Sequence, residues 1–214
     1  LTVTGKTALK GGMEEPWKMT RLKWLNSTLG QDNTVIAPYT ALKESNRSIT
    51  LLGRKLILDN HGLPSNIQTF FTPEMTELSS VPNNILAAPI KFVIETETGT
   101  EELKPISFSY ISKTAGSIRW TAVSASQGIK LEVTGSLEFD GFVAYQVKLS
   151  ATENIKVKDI SMILPFNKEA GVYMMGLGQK GGYRPSSYYW KWDVANKNQD
   201  GAWIGNVNAG LQFS

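Results

Sequence analysis

Cysteine is absent from this 214-residue chain, and histidine occurs once, at His61. Without thiols there are no disulfides, no thiolate metal sites and no Cys nucleophile. A single imidazole leaves no multi-His metal site, and a Ser-His-Asp arrangement would have to use His61 itself. No apolar run approaches the about 18 residues that cross a bilayer, so no membrane span is expected. Charge of one sign is also missing. The 22 Lys+Arg and 19 Asp+Glu leave a formal +3, spread along the chain rather than gathered in a stripe. That is too little for nucleic-acid binding, so no nucleic-acid partner is expected. What the chain does have is 41% apolar residues against 19% charged, enough to bury a core and unlike a disordered chain.

Strand signals are many and helix signals few. Ile129, Leu131 and Val133 alternate with Lys130, Glu132 and Thr134, the period-2 pattern of a strand with one buried face. Asp140-Gly141 separates Leu137-Glu138-Phe139 from Phe142-Val143-Ala144-Tyr145. Such a dipeptide supplies the positive φ angles of a two-residue type I′ turn, so 128–149 reads as a β-hairpin. Alternation continues through 155–164. Further strands are predicted over 48–58, 89–96, 105–111, 117–124, 171–177, 188–193 and 202–213. Gly, Pro, Asn and Asp mark the connections, as in Asp59-Asn60-His61-Gly62-Leu63-Pro64 and Val81-Pro82-Asn83-Asn84. Residues 19–29 read as a strand followed by a loop, because Asn26-Ser27 interrupts the Leu22, Leu25, Leu29 spacing. Strands at this density, without intervening amphipathic helices, predict an all-β fold. The expected form is a two-sheet, mostly antiparallel sandwich, of ordinary size or of the large many-stranded kind, in one domain over 1–214.

Several motifs invite a functional reading. Gly176-Leu177-Gly178-Gln179-Lys180-Gly181 matches the dinucleotide fingerprint, but Gly182-Tyr183-Arg184-Pro185 follows where a helix must open. The glycines are therefore read as a sharp strand turn or bulge. His61 reads as a solvated or turn-capping residue. Glu95, Glu97, Glu101 and Glu102 flank Gly99 as a solvated hairpin tip, and Glu14-Glu15 sits in a loop. Neither group places two carboxylates around a cleft in the way a glycosidase needs. No cofactor and no metal site is expected.

The richest patch is 183–203, where Tyr183, Tyr188, Tyr189, Trp190, Trp192 and Trp203 are interleaved with Lys191, Asp193, Asn196, Asn198, Gln199 and Asp200. Two readings stand side by side. Tyr188, Trp190 and Trp192 at i, i+2 and i+4 would share one face of a strand as core or as an interface with a neighbouring domain. Alternatively, rings mixed with amides and carboxylates suit a sugar, whose C–H face packs on an aromatic ring. For that reading the candidate carbohydrate-binding residues are Tyr183, Arg184, Tyr189 and Trp203, with Arg184 close enough to the rings to stack on one.

Three stretches together resemble a known family. They are Leu22-Lys23-Trp24-Leu25-Asn26-Ser27-Thr28-Leu29-Gly30 with Pro38-Tyr39-Thr40; Leu52-Gly53-Arg54-Lys55-Leu56 leading to Gly62-Leu63-Pro64-Ser65-Asn66-Ile67; and Gly176-Leu177-Gly178 through Trp190-Lys191-Trp192-Asp193 to Trp203-Ile204-Gly205-Asn206-Val207-Asn208-Ala209-Gly210-Leu211. The pattern resembles the N-terminal β-sandwich domain of large bacterial proteins similar to glycoside hydrolase family 123. The resemblance implies a sandwich preceding a catalytic (β/α)-barrel. That barrel carries an adjacent Asp-Glu pair and hydrolyses N-acetylgalactosaminides with help from the substrate's own N-acetyl group. This chain contains no Asp-Glu dipeptide and no strand–helix alternation. No catalytic residue of the family therefore maps onto it.

The chain begins at Leu1 and ends on the strand-like Leu211-Gln212-Phe213-Ser214. It reads as a fragment of a longer polypeptide, its barrel expected after 214 and its signal peptide already missing. The expected role is a non-catalytic accessory domain supporting that catalytic domain of the same chain. A self-standing carbohydrate-binding domain built on 183–203 is the alternative. The resemblance implies a periplasmic, cell-surface or secreted location.

Overall fold

The structure, a computed structural model, describes residues 3–7, 26–28, 30, 32–191, 193, 195 and 201–214. The strand expected within 19–29, Glu14-Glu15, Trp192, Asn196, Asn198, Gln199 and Asp200 lie outside the described residues or mostly so. The chain divides into two compact units, Leu1–Thr34 and Val35–Ser214. No strand or helix occurs among the described residues of the first.

The described residues of the second unit are all β, with sixteen strands. They are β1 (Lys43–Ser45), β2 (Ser48–Leu51), β3 (Arg54–Leu58), β4 (Pro64–Phe71), β5 (Leu78–Asn84), β6 (Lys91–Thr96), β7 (Gly99–Thr100) and β8 (Lys104–Lys113). They continue as β9 (Ser117–Ala125), β10 (Ile129–Glu138), β11 (Val143–Ala151), β12 (Val157–Ile163), β13 (Tyr173–Gly176), β14 (Gln179–Tyr183), β15 (Ala202–Gly205) and β16 (Gly210–Phe213). All pairings are antiparallel. The strands form four small sheets, ordered β1-β2-β3-β4-β5, β11-β10-β9-β8, β12-β6-β7 and β14-β13-β15-β16. This propeller-like set replaces the two broad sheets of the expected sandwich.

The reason is local turn chemistry. The expected single strand 48–58 folds back on itself at Leu52-Gly53, where Gly53 has φ 62° and Phe71 occupies the space of a side chain. Likewise 202–213 splits at Asn206, whose Oδ1 accepts the backbone N–H groups of Asn208 and Ala209. Short hairpins therefore replace long strands, β2–β3 within the first sheet and β15–β16 within the fourth.

The hairpin expected at 128–149 forms as β10–β11, with Leu137 opposite Val143. Its turn is one residue longer than the two-residue form. Gly141 N–H donates to Glu138 O, and Glu138 N–H donates to Phe142 O, with Gly141 at φ 98°. This is a three-residue loop closed by a glycine bulge. The glycine-rich stretch 176–181 forms the β13–β14 hairpin, with the irregular pairing expected of it. The strand expected over 188–193 is not formed at 188–191. There Tyr188 donates its hydroxyl to Leu177 O at 2.6 Å, which ties the segment to the hairpin turn instead of to a sheet. Strands β4 and β5 were not anticipated, because Pro64, Pro82 and their polar neighbours read as connections.

The main core lies between the first and second sheets. Ile49, Leu51, Leu56 and Leu58 from the first meet Ile118, Trp120 and Leu137 from the second. Trp120 is fully buried and donates its indole N–H to Gly62 O at 2.9 Å. Gly135 lies opposite Trp120 in the ladder, and a Cβ there would stand 2.3 Å from the indole ring. The indole thus fills the volume that a side chain at 135 would claim.

Two substitutions test this packing by urea denaturation. Gly135→Ala forces the indole to move and should lower stability by about 1–3 kcal/mol. Tyr145→Phe should be neutral or stabilising by up to about 1 kcal/mol, because the Tyr145 hydroxyl is buried without a hydrogen-bond partner among the described residues.

Candidate functional site

The fourth sheet has one face in the core and one face outward. On the inner face Met174 and Ala202 are buried, and Leu211 packs against Ile85, Leu86 and Ile90. Strand alternation sends their neighbours the other way. Met175, paired with Trp203, is 53% exposed. Tyr173 pairs with Tyr183 on one side and Gly205 on the other, and Gly205 in turn faces Gly210. The outward face therefore gathers Tyr183, Tyr173, Met175 and Trp203.

The rings are held by specific contacts. Tyr173 and Tyr183 lie 5.1 Å apart between centroids with planes inclined at 38°. A hydrogen bond between their hydroxyls, together with mutual repulsion of the charged forms, raises the Tyr173 pKa above the ordinary phenol value. Trp203 lies across two glycines. A Cβ on Gly205 would stand 2.4 Å from its six-membered ring, and one on Gly210 would stand 2.6 Å from its indole nitrogen. The indole therefore rests against bare backbone of β15 and β16. Trp203 is half-buried, whereas Tyr183 is 82% exposed.

Of the four residues singled out from the sequence, the sheet thus brings together Tyr183 and Trp203. Arg184 is engaged elsewhere: its Nε donates to Gly171 O at 2.9 Å and its Nη1 to Pro185 O at 3.2 Å. It clasps the chain where β13 begins and β14 ends. Tyr189 is strongly exposed in the irregular segment after β14. Tyr173 and Met175 were missed. Their alternation within 171–177 was legible, but the register that sets Tyr173 beside Tyr183 was not.

A second polar group surrounds His61. Its Nδ1 shares a 2.8 Å hydrogen bond with Ser124 Oγ. Asp59 Oδ1 accepts the backbone N–H groups of His61 at 2.8 Å and Leu63 at 3.0 Å. The Asp, His and Ser do not form a catalytic relay, since Asp59 holds the His61 backbone and not its ring. Ser124 is buried, with 1% of its surface exposed, so its hydroxyl offers no nucleophile to a substrate. The hairpin expected around Gly99 forms as β6–β7, and Glu101 and Glu102, which follow it, line a cleft with His61, Lys91 and Phe92. Among the described residues no group of three or more His, Asp and Glu side chains could hold a metal ion.

Carboxylate electrostatics follow from these contacts. Glu44 is lowered mainly by its hydrogen bond from Lys113, and Glu132 mainly by that from Lys130. Asp59 is shifted upward, by burial that outweighs its two backbone donors.

The family model described as glycoside hydrolase 123, third domain, matches residues 42–214. The chain belongs to this family. No curated protein and no solved structure matches it. The match begins one residue before β1 and covers all sixteen strands. The description numbers the domain third, where an N-terminal one was expected from the sequence, and a third domain implies others in the same polypeptide. No helix among the described residues is long and apolar enough to cross a membrane.

Asp59 makes a pH-dependent prediction. Its folded pKa lies above the unfolded value of 3.8. The folded state therefore favours the protonated form, and this contribution is lost as pH rises through the folded pKa. Asp59→Asn keeps an acceptor for both backbone donors and removes the titration. Measured by urea unfolding, its stability relative to the parent protein should rise as pH increases above 3.8 through the folded value.

Proposed function

We propose that this chain is a non-catalytic accessory domain of a glycoside hydrolase, packed against a catalytic barrel of the same polypeptide. The observation that carries this reading lies on β12. Ile160 pairs with Ile94, and Met162 pairs with Phe92. Paired residues share a face of the sheet. Ile94 is fully buried on that face, yet Ile160 is 50% and Met162 52% exposed. An apolar ledge thus continues the core-facing side of the third sheet to its β12 edge, without cover. Uncovered apolar faces of this kind mark interaction sites, and a neighbouring domain of the same chain is the cover at hand.

The disposition of the acids supports the non-catalytic part. A general acid needs a raised pKa and access to substrate. Asp59 has the first, but its Oδ1 is engaged by two backbone donors and holds the 59–63 loop in place. The resemblance to family 123 assigns the acidic pair to the barrel. Its substrates on that reading are N-acetylhexosaminides, and its location is outside the cytoplasm.

Hydrogen exchange compared between the isolated chain and the full-length parent tests the proposal. Amides of 157–163 should exchange at least tenfold more slowly in the parent. Ile160→Glu should leave the isolated chain's urea midpoint nearly unchanged while lowering the parent's melting temperature. Equal exchange in the two contexts, or hydrolysis of aryl N-acetylhexosaminides by the isolated chain, would defeat this assignment.

A further inference from the structure

The outward face of the fourth sheet carries a feature that the accessory role does not require. Tyr183, Tyr173, Gly205 and Gly210 form one row across β14, β13, β15 and β16. Two side chains are missing from that row, and the Trp203 indole lies over both vacant positions. The row is therefore filled along its whole length by three rings. Four strands at about 4.8 Å spacing give a strip of about 14 Å. On β14 and β13 the rings touch, at 5.1 Å between centroids. On β15 and β16 a single indole covers both strands.

The chemistry of this strip is specific. The row itself and its parallel neighbours Met175, Trp203 and Gln212 are uncharged, and the one charge beside them on the sheet is Lys180, which with Gly181 lies opposite Met175 at the β14 irregularity. Trp203 lies on the outward face and is partly exposed, its indole edge against the backbone of Gly205 and Gly210. Two phenol hydroxyls lie at one end, and the exposed Gln212 amide lies near the other. A row of uncharged rings with donors and acceptors at its margins matches a pyranose chain. Its C–H faces stack on the rings, while its hydroxyls reach the phenols and the amide.

We infer that the Tyr183–Tyr173–Trp203 strip is a binding site for a neutral oligosaccharide of about three pyranose units, lying across the strands of the fourth sheet. Each ring takes one sugar. Met175 borders the strip beside Gly181, whose missing side chain leaves the approach open. This site is independent of the β12 ledge, so either assignment can fail without the other.

Saturation-transfer NMR on the intact 214-residue chain tests it, with cellotriose, laminaritriose, chitotriose and the corresponding monosaccharides as probes. At least one trisaccharide should receive saturation on its axial C–H protons and bind at least tenfold more tightly than its monosaccharide. Tyr183→Ala, at a position 82% exposed and therefore safe for folding, should weaken that binding by about five- to tenfold. Trp203→Ala should abolish it, and Ile160→Glu should leave it unchanged. The inference is overturned if no probe receives saturation at 10-mM-order concentration (roughly the weak end of specific binding). It is also overturned if monosaccharide and trisaccharide bind alike, if Tyr183→Ala binds as the unmodified chain does, or if Tyr183→Ala instead breaks the contact with the parent's remaining domains.

Discussion

The seating of Trp120 between two stretches of bare backbone is the contact on which the rest of the unit depends. Its ring covers Gly135 on the neighbouring strand, and its N–H reaches Gly62 O in the loop before β4. One fully buried side chain thus ties the second sheet to the first and orients the 59–63 loop. That loop in turn carries Asp59, His61 and Leu63. Leu63 joins Leu131 and Val133 in a separate apolar cluster against Phe92 of the third sheet. A large aromatic group in a close-packed interior tolerates little displacement, so the position of β6 follows in part from that of Trp120.

The core is divided rather than continuous. One cluster lies between the first two sheets, another around Leu63 and Leu131, and a third around Ile85, Leu86, Ile90 and Ala209. Small sheets present small faces, and each face needs a neighbour. This division explains why the third sheet ends in an uncovered apolar edge, while the fourth can turn a ring-bearing face outward without losing its inner contacts.

Legibility from sequence followed the range of the determining interaction. The β10–β11 hairpin was plain, since alternation and Asp140-Gly141 are local signals. The all-β class was plain for the same reason. The number of sheets was not, because the turns at Leu52-Gly53 and Asn206 look like ordinary strand residues until their hydrogen bonds are known. Tyr188, Trp190 and Trp192 promised a strand that 188–191 do not make, since the Tyr188 hydroxyl finds a carbonyl on the preceding turn. At the candidate site Tyr183 and Trp203 were visible as aromatic outliers. Tyr173 was hidden by its ordinary setting between Val172 and Met174, and only the β13–β14 register reveals its partner. Arg184 looked like a stacking cation, but two carbonyls claim it.

The two glycines beneath Trp203 have a consequence beyond shape. An indole on a flexible surface must surrender rotamer freedom when something lands on it, at a cost of about 0.5–1.5 kcal/mol. Here the backbone of β15 and β16 has already settled its orientation during folding. Affinity for whatever meets that ring is thereby written into the hairpin. Drift at positions 205 or 210 would erode recognition without touching any atom that a visiting molecule contacts.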